Sequence, residues 1–253
     1  MRVYRWTTYA NRRSNPVLPR SALAGRGSLS RRLSTPSLES QARTFAADIS
    51  DLLNETITHG IRLSAVLDED SKTCVVARGV TKTKWTTGRG SGIPVRLGRG
   101  TPSGYLYVGH VLQLDDEEKY LTATKSTYAL YEDEALDHLI FHYDYAREPA
   151  TEKGYPDPHF QLNGNCSGLQ SLHPGQTKEL KDFHFPVGGR RYRPCLEDVI
   201  EFLIVEELAK PRAQWREALN SRRVTWYRRQ LQAAVRRDPG AAKEMLREMG
   251  EAN

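Results

Sequence analysis

The chain has few of the residues that build disulfide frameworks or structural zinc sites. Its 253 residues include three cysteines, Cys74, Cys166 and Cys195, which stand far apart without CxxC spacing. A small, odd number of cysteines is not typical of a disulfide-stabilised secreted domain. We therefore expect a protein of a reducing compartment, with the cytoplasm as the default location, and no cysteine-rich zinc site.

Long hydrophobic runs and nucleotide-binding motifs are also missing. No apolar stretch approaches the roughly 20 residues that span a bilayer, so we expect no membrane partner. The Gly-rich segment 81–104 contains neither a P-loop nor a strand-to-helix GxGxxG pattern. We expect this segment to be a flexible connection or a loop that contacts phosphate, and we expect no cofactor.

Acidic residues are absent from one end of the chain, where basic residues collect. Residues 1–35 hold eight arginines and no acid, and residues 211–253 hold ten basic residues against five acids. Because the whole chain carries +6, residues 36–210 carry −7. We predict a disordered basic arm over 1–35, a domain over 36–210 and a basic helical segment over 211–253. The arm also has the composition of a transit peptide, and a translation-start artefact is the alternative.

The spacing of apolar residues predicts a helix first, then strands, then helices. The first helix begins near Thr35-Pro36 and ends before Gly60, and two short strands, 61–67 and 74–77, follow it. From residue 105 the pattern is that of a meander, with strands at 105–114, 120–131, 138–145, 158–162 and 183–187. Helices at 196–208, 213–237 and 241–249 complete the chain. This order predicts an α+β fold, an antiparallel β-sheet with helices packed on one face.

Ionisable side chains alternate with aromatic ones on the last strands of the meander. Period-two alternation places Leu139 and the aromatics of 138–145 on one face, and His138, Ile140, His142 and Asp144 on the other. His159 shares a face with Gln161, and His184 lies between two phenylalanines. If these strands are neighbours in register, four side chains converge on one surface: His142, Asp144, His159 and His184.

Three kinds of chemistry fit this group. A pair of imidazoles with a carboxylate can cleave RNA, one imidazole taking the 2′-hydroxyl proton and the other protonating the leaving oxygen. The same side chains could instead bind a divalent metal, although their spacing matches no metal motif. In the third interpretation the histidines only satisfy hydrogen bonds within the sheet.

Two groups of arginines are candidates for binding phosphate or a partner. Arg190, Arg191 and Arg193 follow a Gly-Gly turn at the entry to a helix, where they could bind phosphate or pair with nearby acids. In the helix 213–237, a basic face lies beside an aromatic one. This face could contact nucleic acid or a protein, or it could simply be solvated. Its candidate contact residues recur every seven positions: Arg222, Arg229 and Arg236.

The strand His142-Tyr143-Asp144-Tyr145, followed by His159-Phe160-Gln161-Leu162, resembles the corresponding strands of TumE-like toxin families and related proteins of bacterial conflict systems. The resemblance covers about residues 136–208. In this chain Gln161 stands where those families carry a second histidine. The resemblance implies a compact sheet-and-helix domain and a prokaryotic toxin or defence component that acts on RNA.

Two functions follow as expectations. The first is a metal-independent endoribonuclease in which His142 and His159 are the acid–base pair, Asp144 orients an imidazole, and His184 belongs to the same site. The second is a non-catalytic interaction protein that binds nucleic acid or a partner protein, such as an antitoxin or a complex subunit, through its basic ends.

Overall fold

The computed structural model describes residues 36–82, 90–98, 100–147, 158–164, 179–188 and 193–251. The predicted basic arm, residues 1–35, lies outside them. Within the described residues, eight strands form a single sheet in which every pairing is antiparallel. The strands are β1 Ser64–Asp68, β2 Thr73–Ala77, β3 Ile93–Val95, β4 Gly104–Leu114, β5 Leu121–Tyr131, β6 Leu139–Ala146, β7 Pro158–Leu162 and β8 Phe185–Pro186.

Strand order follows chain order with one exception. The path runs β1-β2-β4-β5-β6-β7-β8, and β3 pairs with the first residues of β4, beside β2. Antiparallel pairing of consecutive strands is the expected result of alternating apolar residues separated by turn residues. Phe185–Pro186 ends the path, and Pro186 stands at the edge where a missing N–H costs least.

The four described α-helices account for the rest of the regular structure, apart from a 3-10 turn at Leu180–Asp182. They are α1 Leu38–Thr56, α2 Leu196–Val205, α3 Trp215–Arg237 and α4 Pro239–Glu248. Ser37 caps α1 by accepting a hydrogen bond from the N–H of Ser40, two residues after the predicted start. The predicted α+β fold is confirmed. No described helix has the length and apolar composition to cross a bilayer.

One face of the sheet carries the main core. The helices bury apolar side chains against that face, and α2 contacts it through Phe202, whose ring lies 5.6 Å from that of Phe141. These buried residues come from the sheet and from three helices: Ala42, Leu53, Val76, Leu106, Val108, Leu112, Phe141, Leu196, Ile200, Leu203, Trp215 and Leu219. The other face of the sheet carries a smaller apolar cluster, Val75, Ala77 and Val80, together with polar residues.

The start of α3 belongs to this core. Trp215 and Leu219 are buried in it. One turn later, the Arg223 guanidinium lies 2.6 Å from Glu201 and 3.1 Å from Asp198 of α2. The first turns of the predicted basic helical segment, 211–253, thus pack against α1 and α2 in the same core.

Two departures from the predicted strands occur. Residues 93–95, predicted as part of a loop, form the short strand β3. In β6, Leu139 pairs with Tyr131 and Phe141 with Leu130, so Ile140 is an extra residue in a β-bulge. Ile140 packs against the helix-side core. Its predicted place on the face of His142 is therefore wrong, because the bulge interrupts the alternation.

His110 of β4 is buried inside the helix-side core. Its ring contacts Phe45 at 4.9 Å and Tyr128 at 5.6 Å, and neither ring nitrogen has a hydrogen-bond partner among the described residues. Burial, assisted by the positive charge of Arg193, lowers the pKa of His110 to about 3. The folded protein therefore holds this imidazole neutral.

We expect acid to destabilise the fold through His110. The unfolded chain protonates this histidine near pH 6.5, whereas the folded protein does so only near pH 3. The contribution of neutral His110 to the free energy of unfolding is complete above about pH 6.5. It is lost as the pH falls towards 3, with a slope of up to about 1.4 kcal/mol per pH unit. Chemical denaturation at pH 7.5, 6.5 and 5.5, within the range of about 5–8 where histidine titrates, measures this loss of stability.

His110→Phe should flatten this pH dependence, because a benzene ring takes no proton. The exposed His59 provides the matched control, and His59→Phe should keep the wild-type slope. Equal slopes in wild type and His110→Phe would contradict a neutral buried imidazole at this position.

Candidate active site

The register of three strands brings the predicted site residues together. Asp144 of β6 stands opposite His159 of β7, and His142 stands opposite Gln161. The other edge of β7 pairs with β8, where His159 stands opposite Pro186. His184, two residues before Pro186, therefore lies beside His159. All four predicted residues, His142, Asp144, His159 and His184, thus lie on the sheet face opposite the helices.

Aromatic residues alternate with the site residues along β6 and β7 and keep the site residues on one face of the sheet. Phe141, Tyr143 and Phe160 pack together on the helix side, with ring centroids 4.7 to 6.1 Å apart. Because successive residues of a strand point to opposite faces, burial of these rings forces His142 and Asp144 to the other face. The site therefore depends on the apolar side of the same strands.

The imidazoles form a row across the strands. The ring of His159 lies 5.9 Å from that of His142 and 4.8 Å from that of His184, centroid to centroid. His159 is buried, whereas the side chains of His142 and Asp144 keep 16% and 36% of their exposure. His184 is also only partly buried, so solvent reaches both ends of the row and not its centre.

His142 and Asp144 contain buried polar atoms whose hydrogen-bonding capacity is unused. The His142 Nε2 atom lies 3.5 Å from Asp144 Oδ2, close enough to form an ion pair when the imidazole is protonated. Their orientation makes no hydrogen bond, and within the described part of the chain His142 Nε2 and Asp144 Oδ1 have no such partner. Unsatisfied buried polar atoms destabilise a fold, so the unused hydrogen-bonding capacity of His142 and Asp144 calls for an explanation.

Gln161 fixes His184 at the end of the row. The Gln161 amide nitrogen donates to the backbone oxygen of Lys181 at 2.9 Å and lies 3.0 Å from His184 Nε2. With this geometry, His184 Nε2 accepts the second amide hydrogen. Gln161 thus holds the outer imidazole in place, and the predicted shared face of His159 and Gln161 is used for that purpose.

Tyr107 borders the site and was not singled out in the sequence. Its ring lies over Gly109, where an added Cβ would stand 2.5 Å from the Tyr107 hydroxyl. Burial, then the neighbouring Tyr131 and Asp144, raises the pKa of Tyr107, which keeps the phenol neutral and able to donate a hydrogen bond. The sequence signal was the spacing of an aromatic residue and a glycine two positions apart on β4.

Lys125 is the second residue that the sequence did not indicate. It pairs with Ala146 of β6, two positions from the pair of Thr127 and Asp144, and therefore shares the face of Asp144. Its side chain is exposed. The β-bulge at Thr124 in β5 immediately precedes Lys125.

Arg193 does not join the histidines. Its guanidinium carbon lies 3.9 Å above the ring of Tyr145 and 5.6 Å from that of Trp226. Tyr145 has the orientation of Phe141 and Tyr143, so Arg193 lies on the helix side of the sheet. Its predicted grouping with the histidines is not what the geometry shows, because this side chain is used in packing. Arg190 and Arg191 lie outside the described residues.

The three arginines predicted as contacts on α3 differ in their surroundings. Arg222 binds α1, donating to the backbone oxygen of Asp48 at 3.0 Å and lying 3.5 Å from Glu55. Arg236 stands 4.9 Å from the ring of Tyr120. Arg229 is exposed. Whether any of them contacts nucleic acid or a partner stays a prediction.

No protein-family model, curated protein or solved structure matches this chain. The resemblance to TumE-like toxins therefore stays a prediction.

We expect Arg193→Ala to lower the free energy of unfolding by about 1–2 kcal/mol, through loss of cation–π contact and of packing on Tyr145. The exposed Arg229 is the matched control, and Arg229→Ala should change stability by less than about 0.5 kcal/mol. Urea denaturation compares the two variants. A neutral Arg193→Ala would contradict a packing role.

Proposed function

We propose that the protein is an RNA-cleaving enzyme whose acid–base pair is His142 and His159. The observation that carries the proposal is the position of the two imidazoles, 5.9 Å apart on one sheet face beside the Asp144 carboxylate. Two imidazoles at this separation can both reach the same phosphodiester group. One can then accept a proton while the other donates one.

In the proposed reaction, neutral His142 removes the proton from a ribose 2′-hydroxyl, and the oxygen attacks the adjacent phosphorus. Protonated His159 gives its proton to the 5′-oxygen as the P–O bond breaks, leaving a 2′,3′-cyclic phosphate and a free 5′-hydroxyl. One proton is taken and one is given, so the step needs no metal. Asp144, 3.5 Å from His142, orients this imidazole and stabilises its charged form.

Lys125 and Tyr107 complete the proposed site. The exposed Lys125 ammonium, on the face of Asp144, replaces the predicted Arg193 as the cation that attracts phosphate. The neutral Tyr107 hydroxyl can donate a hydrogen bond to a substrate oxygen. The chemistry thus comes from the row on β6 and β7 and from two neighbouring strands.

The proposed setting is a prokaryotic cytoplasmic toxin- or defence-like protein. Support comes from the resemblance of residues 136–208 to TumE-like toxins and from the basic ends of the chain, which suit RNA. An antitoxin or complex subunit is the protein partner that such a setting implies.

We expect His142→Ala and His159→Ala each to abolish cleavage of purified total RNA while leaving the fold intact. A lost acid or base in this chemistry lowers the rate by about 100- to 10,000-fold. Gel analysis of RNA with and without EDTA measures cleavage, and far-ultraviolet circular dichroism checks folding. EDTA should have no inhibitory effect.

The matched control is His138→Ala. His138 precedes the same strand, but its side chain is 73% exposed and lies 3.0 Å from Asp133, away from the row. This variant should cleave RNA at the wild-type rate. Wild-type cleavage by both His142→Ala and His159→Ala would exclude the acid–base assignment.

A second candidate function, the non-catalytic interaction protein, is favoured by an exposed apolar stripe on α3. Its four residues are spaced by three, four and four positions, so they share one side of the helix, and their exposed fractions run from 43% to 66%. They are Val224, Tyr227, Leu231 and Val235. Exposed Arg228, Arg229 and Arg236 flank this α3 stripe. We propose an acidic amphipathic helix as its partner, since two copies of a basic stripe would repel each other.

We expect Leu231→Asp to weaken binding of a synthetic leucine- and glutamate-rich amphipathic peptide at least tenfold, a loss of about 1.4 kcal/mol. Leu97 lies outside α3 and is also exposed, so Leu97→Asp is the matched control and should bind like wild type. A point substitution is preferable to deleting 211–253, because deletion would remove Trp215 and Leu219 from the core. Fluorescence anisotropy at several salt concentrations measures affinity, and equal binding by both variants would reject the stripe.

A further inference from the structure

We propose that His142, Asp144 and His159 form a binding site for a divalent transition-metal cation, with zinc as the representative ion. One ligand atom from each residue lies within 4.8 Å of the other two. Two of the residues stand two positions apart on β6, and the third is the cross-strand neighbour of Asp144 on β7. Three ligands from two adjacent strands are therefore held on one surface by the sheet itself.

The chemistry of the ligand set selects the metal. Imidazole nitrogen with a carboxylate suits zinc, cobalt and nickel, whereas magnesium and calcium prefer oxygen ligands alone. Zinc binds such atoms at about 2.0–2.2 Å in tetrahedral geometry, which puts neighbouring ligand atoms somewhat above 3 Å apart. His142 Nε2 and Asp144 Oδ2 are already 3.5 Å apart, so small side-chain rotations bring the ligand atoms to the spacing that zinc requires.

The buried atoms of the site provide an independent second observation. His142 Nε2 and Asp144 Oδ1 are shielded from solvent, and neither makes a hydrogen bond within the described ranges. A lone pair buried in this way lacks stabilisation that a cation would supply. Other polar side chains of the same face, such as Gln161, do have hydrogen bonds.

His184 supports the site from outside. Its ring packs 4.8 Å from that of His159 and is itself held by Gln161 at 3.0 Å. This packing restricts rotation of the His159 imidazole, one of the three ligands. Three protein ligands leave a fourth tetrahedral position for a water molecule or for a phosphate oxygen.

Metal binding and the proposed RNA cleavage need the same imidazoles. A cation on His142 Nε2 leaves the proton of the neutral ring on Nδ1, so that neither nitrogen can act as a general base. A cation on His159 prevents this imidazole from carrying the second proton that a general acid gives. We therefore infer that zinc inhibits cleavage. This regulatory consequence rests on the proposed function, whereas the binding of metal does not.

Isothermal titration of the full chain with zinc chloride tests the site. We expect one zinc ion per chain, with affinity lowered at least tenfold in His142→Ala and in Asp144→Asn, which keeps the carboxylate's shape but removes its charge. Matched controls are His138→Ala and Asp116→Asn, both at exposed positions, and both should bind as wild type does. Wild-type affinity in His142→Ala and Asp144→Asn would overturn the proposal.

A titration of the unmutated chain with cobalt chloride tests the site independently of any folding defect in the variants. We expect a saturable visible absorption of nitrogen- and oxygen-ligated cobalt that zinc displaces. No saturable absorption would overturn the site, and so would a near-ultraviolet thiolate band, since that would place the metal on a cysteine.

RNA cleavage assayed with added zinc separates the two proposals. Cleavage that zinc suppresses supports both. Zinc binding without any cleavage by the wild-type protein overturns the proposed function and leaves the metal site standing. Cleavage without zinc binding overturns the metal site alone, and cleavage that zinc stimulates overturns the inhibitory role.

Discussion

The aromatic face of β6 and β7 is the constraint on which the site depends. Phe141 is buried against Phe202 of α2, and its ring also contacts Tyr143 and Phe160. Aromatic pairs of this kind contribute about 0.5–1.5 kcal/mol each beyond the burial of their area. Since a slip of one residue would turn these rings to solvent and put His142 in the core, the register of β6 is strongly specified.

The polar row on the other face is a consequence of that register. His142, Asp144 and His159 are adjacent because Asp144 and His159 are a cross-strand pair and His142 is two residues away. His110 shows the contrasting case, an imidazole on the helix side that burial keeps neutral. The same residue type thus has a packing role on one face of the sheet and a proposed chemical role on the other.

Sequence periodicity predicted most of the fold and the convergence of four site residues. That was possible because alternation over 138–145 and 158–162 is local, and consecutive antiparallel strands usually pair. Other features depend on tertiary pairing and were not predictable: the bulge at Ile140, the strand 93–95 and the packing of Arg193 on Tyr145. Arg193 shows the limit most clearly, because a charged residue near a site in sequence lies across the sheet from it.

The most direct test of this arrangement is a nuclear Overhauser spectrum of the imidazole ring protons in solution, assigned by the loss of signals in single His→Ala variants. The predicted result is cross-peaks from His159 to both His142 and His184, whose ring centroids lie 5.9 and 4.8 Å away. Cross-peaks from His142 to the rings of Phe141 and Phe202 in place of His159 would contradict it, because they would put His142 on the helix side of the sheet.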